Sequence, residues 1–180
     1  KPISGSDIFD LIENNKVVEN PYLNEIVNVD IKDEYIKEVK KNLSIKKGTK
    51  IVIDCGNGAA GCIAPKLYKE LGCDVIELFS DVDGNFPNHH PDPGKIENLN
   101  HLIDEVKKTN AELGLAFDGD GDRVGLVTNE GEIVFPDKIL IMLSEDILFS
   151  KKGSIIFDVK CSNSLPKIIK KNGGNPIMSP

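Results

Sequence analysis

Three aspartates alternate with glycines over residues 118–122, directly after a short apolar run, and an arginine follows them. In an extended segment, residues two apart project to the same side, so the carboxylates of Asp118, Asp120 and Asp122 should converge on one point. The glycines between them place no side chain in the way. Carboxylates held this close repel one another, and a hard divalent cation relieves that repulsion. The pattern predicts a Mg²⁺ site, with Arg123 suited to bind a phosphate on the metal.

Two other kinds of acidic loop begin in a similar way. An EF-hand that started at Asp118 would need glycine at its sixth position and glutamate at its twelfth, where this chain has Arg123 and Asn129. An EF-hand is therefore excluded. A phosphatase similar to the haloacid dehalogenases would use the first aspartate as nucleophile and the second as acid, but it expects threonine or valine at the position of Asp122. That phosphatase and a non-catalytic metal-binding domain are the two alternatives.

The segments that must position this loop alternate between strand and helix. Apolar, β-branched runs predict strands at 50–54, 74–79, 113–117 and 154–159, and a hairpin across 123–135. Helical spacing of apolar residues predicts helices at 6–14 (with Ser6 as N-cap), 33–43, 59–71, 96–108, 136–149 and 164–171. Residues 15–30 have no clear period and are interpreted as a connector. The alternation predicts a three-layer α/β/α domain with a mixed, mostly parallel sheet, followed by the start of a second similar domain.

Three further segments carry candidate functional residues. Residues 56–58 (GNG) join a strand to a helix, but they lack the spacing and lysine of a phosphate-binding P-loop, so a structural turn is favoured. Residues 83–94 hold three prolines and form an irregular loop, in which His89 and His90 either touch substrate or pack in a turn. Lys160 follows an apolar run and should lie at the carboxyl end of a strand, where open α/β sheets place their ligands.

Composition narrows the possible partners. The net charge of −7 argues against nucleic acid, because phosphate binding requires clustered lysine and arginine. The sequence has neither an apolar run of the roughly 20 residues needed to span a membrane nor a secretory signal segment. Its four cysteines form no C-x-x-C pair, so we interpret them as buried and reduced, and we expect a cytoplasmic location.

Four motifs together resemble the phosphomannomutase/phosphoglucomutase branch of the α-D-phosphohexomutase superfamily. They occur in the expected order and cover most of the chain from about residue 50 onward. Their sequences are IDCGNGAAG at 53–61, NFPNHHPDPGKIENL at 85–99, LGLAFDGDGDRVG at 113–125 and IFDVKC at 156–161.

The resemblance implies an enzyme that interconverts hexose 1-phosphates and hexose 6-phosphates through a phosphoserine and a bisphosphorylated sugar. Asp118, Asp120 and Asp122 would hold Mg²⁺ against the phosphoserine. Arg123 would contact the transferring phosphate, and Lys160 would lie near the reacting hydroxyl. Phosphoryl transfer of this kind depends on positioning and charge neutralisation.

The chain departs from the family pattern in two places: it has neither the family's phosphoserine loop (TASHNP) nor its sugar-reading loop. We therefore expect an internal fragment that is inactive by itself. The resemblance implies that residues 1–30 end a first domain, 31–132 form the metal-binding domain and 133–180 begin the next.

Overall fold

The computed structural model describes residues 4–14 and 27–179, and the chain divides into two compact units, Lys1–Ile31 and Lys32–Pro180. In the first unit, helix α1 (Gly5–Glu13) is capped by Ser4, whose hydroxyl accepts a hydrogen bond from the Asp7 N–H. The Asp7 carboxylate accepts one from the Ser4 N–H in return. The prediction that Ser6 caps this helix is therefore wrong, because the cap lies two residues earlier, at Ser4. Most of the predicted connector at 15–30 falls outside the described residues.

Five strands form the larger sheet of the second unit, in the order β2-β1-β3-β4-β5. They are β1 (Lys50–Asp54), β2 (Asp74–Leu78), β3 (Leu113–Phe117), β4 (Val124–Thr128) and β5 (Ile133–Val134). Strand β1 lies at the centre of the parallel part and pairs in parallel with β2 and β3, whereas β4 and β5 continue the sheet in antiparallel fashion. The buried β-branched residues of β1 explain this central place, because both faces of the strand are covered.

Helices cover both faces of the larger sheet. They are α2 (Lys32–Lys40), α3 (Ala64–Glu70) and α4 (Asn100–Thr109). Alternate residues of β1 point to opposite faces, so Ile51 and Ile53 pack with α3 while Val52 packs with α4. Helix α2 lies beside α3, where Lys40 forms an ion pair with Glu70. The three-layer α/β/α arrangement follows.

A second, two-stranded parallel sheet is formed by β6 (Ser154–Asp158) and β7 (Asn175–Ser179). Helices α5 (Pro136–Ser150) and α6 (Ser164–Lys171) accompany it. Its core consists of Leu148, Phe157, Leu165 and Ile169. Among the described residues, three of the five strand pairings are parallel, and the predicted mixed, mostly parallel α/β fold is confirmed.

Two predicted helices are each divided into a 3₁₀ turn and an α-helix. The first consists of a turn at Ala59–Cys62 and helix α3, and Pro65 in the first turn of α3 supplies no N–H for the carbonyl four residues earlier. The second consists of a turn at Ile96–Leu99 and helix α4.

No helix in the described part of the chain is both long and apolar enough to cross a membrane. The cysteines are free, but they are not uniformly buried: Cys55 is buried, Cys73 and Cys161 are partly buried, and Cys62 is exposed. The expectation of buried cysteines is therefore wrong for Cys62, which lies at the end of the 3₁₀ turn before α3.

Candidate metal centre

The acidic loop joins the end of β3 to the start of the antiparallel strand β4. It closes as a tight turn, in which the Gly121 N–H donates to the Asp118 carbonyl at 3.1 Å. Gly121 adopts a φ of +76°, a conformation that favours glycine. One carboxylate oxygen from each of Asp118, Asp120 and Asp122 lies within 4.8 Å of the others. The structure therefore places together the three carboxylates that the spacing predicts to converge.

Arg123 fixes the first of these carboxylates. Its backbone N–H donates to Oδ1 of Asp118 at 2.9 Å, and its Nε donates to Oδ2 at 2.8 Å. Burial by itself would raise the pKa of Asp118, but these hydrogen bonds outweigh burial and hold that pKa below its usual value. Asp118 is thus a buried, ionised carboxylate with both oxygens engaged.

Asp120 and Asp122 lie on the exposed side of the loop. A hydrogen bond with Asp118, together with the negative charges of Asp120 and Asp118, raises the pKa of Asp122. A divalent cation would remove this repulsion, and its preferred ligands are carboxylate oxygens of this kind. The donor set therefore fits Mg²⁺, with three protein ligands and further positions for water or a phosphate oxygen.

The loop at residues 55–59 packs directly against the backbone of the acidic loop. The Ala59 N–H donates to the Gly119 carbonyl at 2.9 Å. A Cβ placed on Gly58 would lie 2.7 Å from the same carbonyl oxygen, so a side chain there would push the two loops apart. The glycines of this turn thus permit close contact between two backbones.

The proline-rich loop at residues 83–94 contacts both β1 and Arg123. His89 Nε2 lies 3.0 Å from Oδ2 of Asp54, a carboxylate at the end of β1 that is 1% exposed. The Arg123 guanidinium donates through NH1 to Oδ1 of Asp92 at 3.1 Å. Sequence reasoning did not identify Asp54 or Asp92, although the position of Asp54 at the carboxyl end of a buried strand is a usable signal. His90, by contrast, is exposed.

A groove of about 760 Å³ in the second unit lies between strands β4 and β5 of the larger sheet and the segment that follows β6. Arg123 and Lys160 both line it, as do Pro93, Gly125 and Phe135. Lys160 lies two residues beyond the end of β6, and its side chain is 88% exposed. Its Nζ forms a loose ion pair with Asp158, whose Oδ2 lies 3.8 Å away. The two cationic residues predicted from the sequence to be functional, Arg123 and Lys160, therefore line the same groove.

The comparisons with known proteins agree on one family. The model of the family described as "Phosphoglucomutase/phosphomannomutase, alpha/beta/alpha domain II" matches residues 33–131. A "Phosphomannomutase/phosphoglucomutase" of Pseudomonas syringae pv. tomato is 57% identical over 154 residues, which are 85% of this chain and 33% of that protein. A "Phosphoglucomutase" of Neisseria meningitidis serogroup A is 45% identical over 173 residues, covering 96% of this chain and 38% of the relative.

A solved structure agrees with these relatives. The "Phosphoglucomutase/phosphomannomutase family protein" of Burkholderia thailandensis superposes with a TM-score of 0.87 at 42% identity, covering 96% of this chain and 38% of that one. The chain spans between about a third and two fifths of the length of the relatives that it matches.

Proposed function

The chain belongs to the phosphoglucomutase/phosphomannomutase family, and we propose that it supplies the metal-binding part of an enzyme that interconverts hexose 1-phosphates and hexose 6-phosphates. The observation that carries this proposal is the convergence of Asp118, Asp120 and Asp122 beside Arg123 at the end of β3. The homologues named above are mutases of this class, which supports the choice of substrate.

We assign a role to each residue of the centre. Asp118, Asp120 and Asp122 hold Mg²⁺, which when bound neutralises charge on the phosphoserine contributed by a part of the enzyme that this chain lacks. Arg123 donates N–H groups to the transferring phosphate from the groove side. Lys160 either stabilises charge on that phosphate or assists proton transfer at the sugar hydroxyl. No role for nucleic acid or membrane is proposed.

We also propose that residues 31–132 form the metal-binding α/β domain and that residues 133–180 begin the next domain. The extent of the matching family model, 33–131, supports this boundary, as does the separate two-stranded sheet of β6 and β7. Residues 1–30 would then end a preceding domain.

The aspartyl phosphatase is the less favoured alternative. Such an enzyme requires a nucleophilic first aspartate, but both oxygens of Asp118 accept hydrogen bonds from Arg123 and the side chain is 4% exposed. A carboxylate held in this way is a weak and inaccessible nucleophile. A phosphoryl group trapped on Asp118 would nevertheless establish that chemistry.

The proposal is tested in the complete enzyme with mannose 1-phosphate and glucose 1-phosphate, a bisphosphate activator, and either Mg²⁺ or EDTA. We expect turnover that EDTA abolishes, and a loss of kcat/KM of at least about 100-fold in Asp120→Asn. Asp104→Asn, which removes an exposed carboxylate of α4, is the matched control and should behave as wild type. An active Asp120→Asn enzyme with unchanged metal dependence would contradict the proposed site.

A further inference from the structure

A buried pair joins the proline-rich loop to the larger sheet. Asp54 is 1% exposed at the end of β1, and His89 approaches it with Nε2 at 3.0 Å from Oδ2 and 3.2 Å from Oδ1. The His89 ring packs edge-on against Phe79, with 5.3 Å between the ring centroids. Gly56 donates its N–H to Oδ1 of Asp54 at 2.8 Å. Both sides of this contact are therefore closely defined.

The hydrogen-bonding partners of His89 require one proton between Nε2 and the Asp54 carboxyl group. His89 Nδ1 lies 3.0 Å from the His90 carbonyl, which can only accept, so Nδ1 carries a hydrogen. Nε2 faces the Asp54 carboxyl group, and without a proton between them two lone pairs would repel. Burial raises the pKa of Asp54 and outweighs the opposing effects of His89 and the Gly56 N–H, which favours retention of that proton. Among the described residues, His101 stacks on His89 with 6.2 Å between the ring centroids, and the buried Cys55 thiol interacts electrostatically with Asp54.

The loop beyond His89 leads directly to Arg123. The His90 carbonyl that binds the His89 ring also accepts the Asp92 N–H at 2.9 Å. The Asp92 carbonyl accepts the side-chain amide of buried Asn98 at 2.9 Å, so the backbone of Asp92 is held on both sides. Its carboxylate oxygen Oδ1 then accepts from Arg123 NH1 at 3.1 Å.

Asp92 and Asp118 together fix the plane of the Arg123 guanidinium. They engage Nε and NH1, while the side chain remains 60% exposed and lines the groove. A guanidinium has five N–H donors in one plane, so fixing two of them fixes the direction of the others. Within the described residues, those other donors make no hydrogen bond.

We propose that His89 is a positioning residue: bound to buried Asp54, it holds the loop that presents Asp92 and thereby aims Arg123 into the groove. His89 itself forms no hydrogen bond or ion pair with Arg123 or with the three aspartates of the acidic loop. The kinetic part of this inference rests on the proposed function, but the structural part does not. The two are therefore tested by separate measurements.

The structural test is amide hydrogen exchange in the 180-residue chain. His89→Leu should speed exchange of the Asp92 and Arg123 amides by about tenfold or more, while the amides of β1 remain protected. His90→Leu, which changes the exposed neighbour, is the matched control and should leave exchange unchanged. Unchanged exchange at Asp92 in His89→Leu would overturn the proposal, whatever the activity of the complete enzyme.

A second pair of variants guards against loss of folding. In Asp54→Asn, the new amide can donate to Nε2 of a neutral His89 and still accept the Gly56 N–H, so exchange at Asp92 should stay within about threefold of wild type. Asp54→Ala removes both contacts and should match His89→Leu. Equal exchange in Asp54→Ala and wild type would overturn the proposal.

The kinetic test uses the complete enzyme and a double-mutant cycle. His89→Leu should lower kcat/KM by about 10- to 100-fold, the range for partners that orient a functional group. The double variant His89→Leu/Asp54→Asn should have nearly the same low kcat/KM as His89→Leu alone. Asp92→Ala should lower it similarly, and adding His89→Leu to Asp92→Ala should cost no more than about a further twofold. Effects that multiply would overturn the idea that His89 acts through Asp92. An inactive wild-type enzyme would contradict the proposed function while leaving the exchange result to decide the structural part.

Discussion

The charged residues of the candidate centre differ sharply in how firmly they are held. Asp118 is buried and bound twice by Arg123, whereas Asp120 and Asp122 are exposed. The Lys160 side chain is 88% exposed, and its Nζ lies 3.8 Å from Oδ2 of Asp158. Substitution should therefore disturb the fold at Asp118, but at Asp120 and Lys160 it should act on ligand binding and chemistry.

Metal binding can be measured on the 180-residue chain by melting with Mg²⁺ and with EDTA. At a few times Kd, Mg²⁺ should stabilise the wild-type chain by about 1 kcal/mol, which raises Tm by about 2–4 °C for a domain of this size. Asp120→Asn should lose most of this shift because it removes one of three ligands. Asp104→Asn is the charge-matched control. Identical shifts in wild type and Asp120→Asn would mean that the acidic loop is not the site.

The role of Lys160 can be resolved in the complete enzyme with two substitutions. Lys160→Met should lower kcat/KM by about 100-fold or more, since it removes the cation from the groove. Lys160→Arg should retain part of the rate if the lysine acts as a charge, but it should lose most of kcat if the lysine transfers a proton, because arginine rarely gives up its proton. Lys167→Met, an exposed lysine of α6, is the control. Unchanged kcat/KM in Lys160→Met would remove Lys160 from the site.

At the scale of elements, the acidic loop depends on its neighbours as much as on its own residues. The turn at residues 55–59 contacts it from the end of β1, and the proline-rich loop contacts Arg123 from the other side. Pro93 lies so close to β4 that a Cβ on Gly125 would be 2.9 Å from the Pro93 Cβ. Three loops from different strands thus meet at one edge of the sheet, where α/β proteins place their ligands.

The contact between the turn at residues 55–59 and the acidic loop predicts how one added methyl group changes the stability of the chain. Gly58→Ala should destabilise the chain by about 1–3 kcal/mol, the usual cost of overpacking, because its Cβ would meet the Gly119 carbonyl. It should also reduce the Mg²⁺-dependent rise in Tm. The control is Gly84→Ala, where a Cβ meets nothing within 4 Å. Urea unfolding with and without Mg²⁺ measures both effects, and equal stability of the two variants would contradict the contact.

At the scale of the whole molecule, the two sheets differ in how far their apolar side chains are covered. Helices cover both faces of the larger sheet, whereas the small sheet leaves apolar side chains such as Ile156 and Met178 exposed. Arg123 and Lys160 both line the groove. The chain thus presents a candidate metal centre and a groove lined by two cationic residues, and its sequence contains no serine followed by His-Asn-Pro.

We accordingly predict that the 180-residue chain alone shows no mutase activity, although it binds Mg²⁺. The measurement is conversion of mannose 1-phosphate in the presence of Mg²⁺ and bisphosphate activator, with the complete enzyme as the positive control. Turnover above a no-enzyme blank, in material free of host mutase, would contradict this prediction.

The sequence by itself determined the features that depend on neighbouring residues. The strands at 50–54 and 113–117 were predicted to the residue, because short β-branched or apolar runs between polar turns define a buried strand locally. The acidic loop follows from the two-residue spacing of its aspartates, and the family follows from motifs that are contiguous along the chain.

Only the tertiary structure decided the contacts between distant segments. His89 and Asp54 are 35 residues apart, and Arg123 and Asp92 are 31 apart, so no local pattern pairs them. The strand order that brings these loops to one edge is a property of the sheet. For the same reason the exposure of Cys62 could not be deduced from its apolar surroundings: burial depends on which segment packs against a residue, and that is set by the fold.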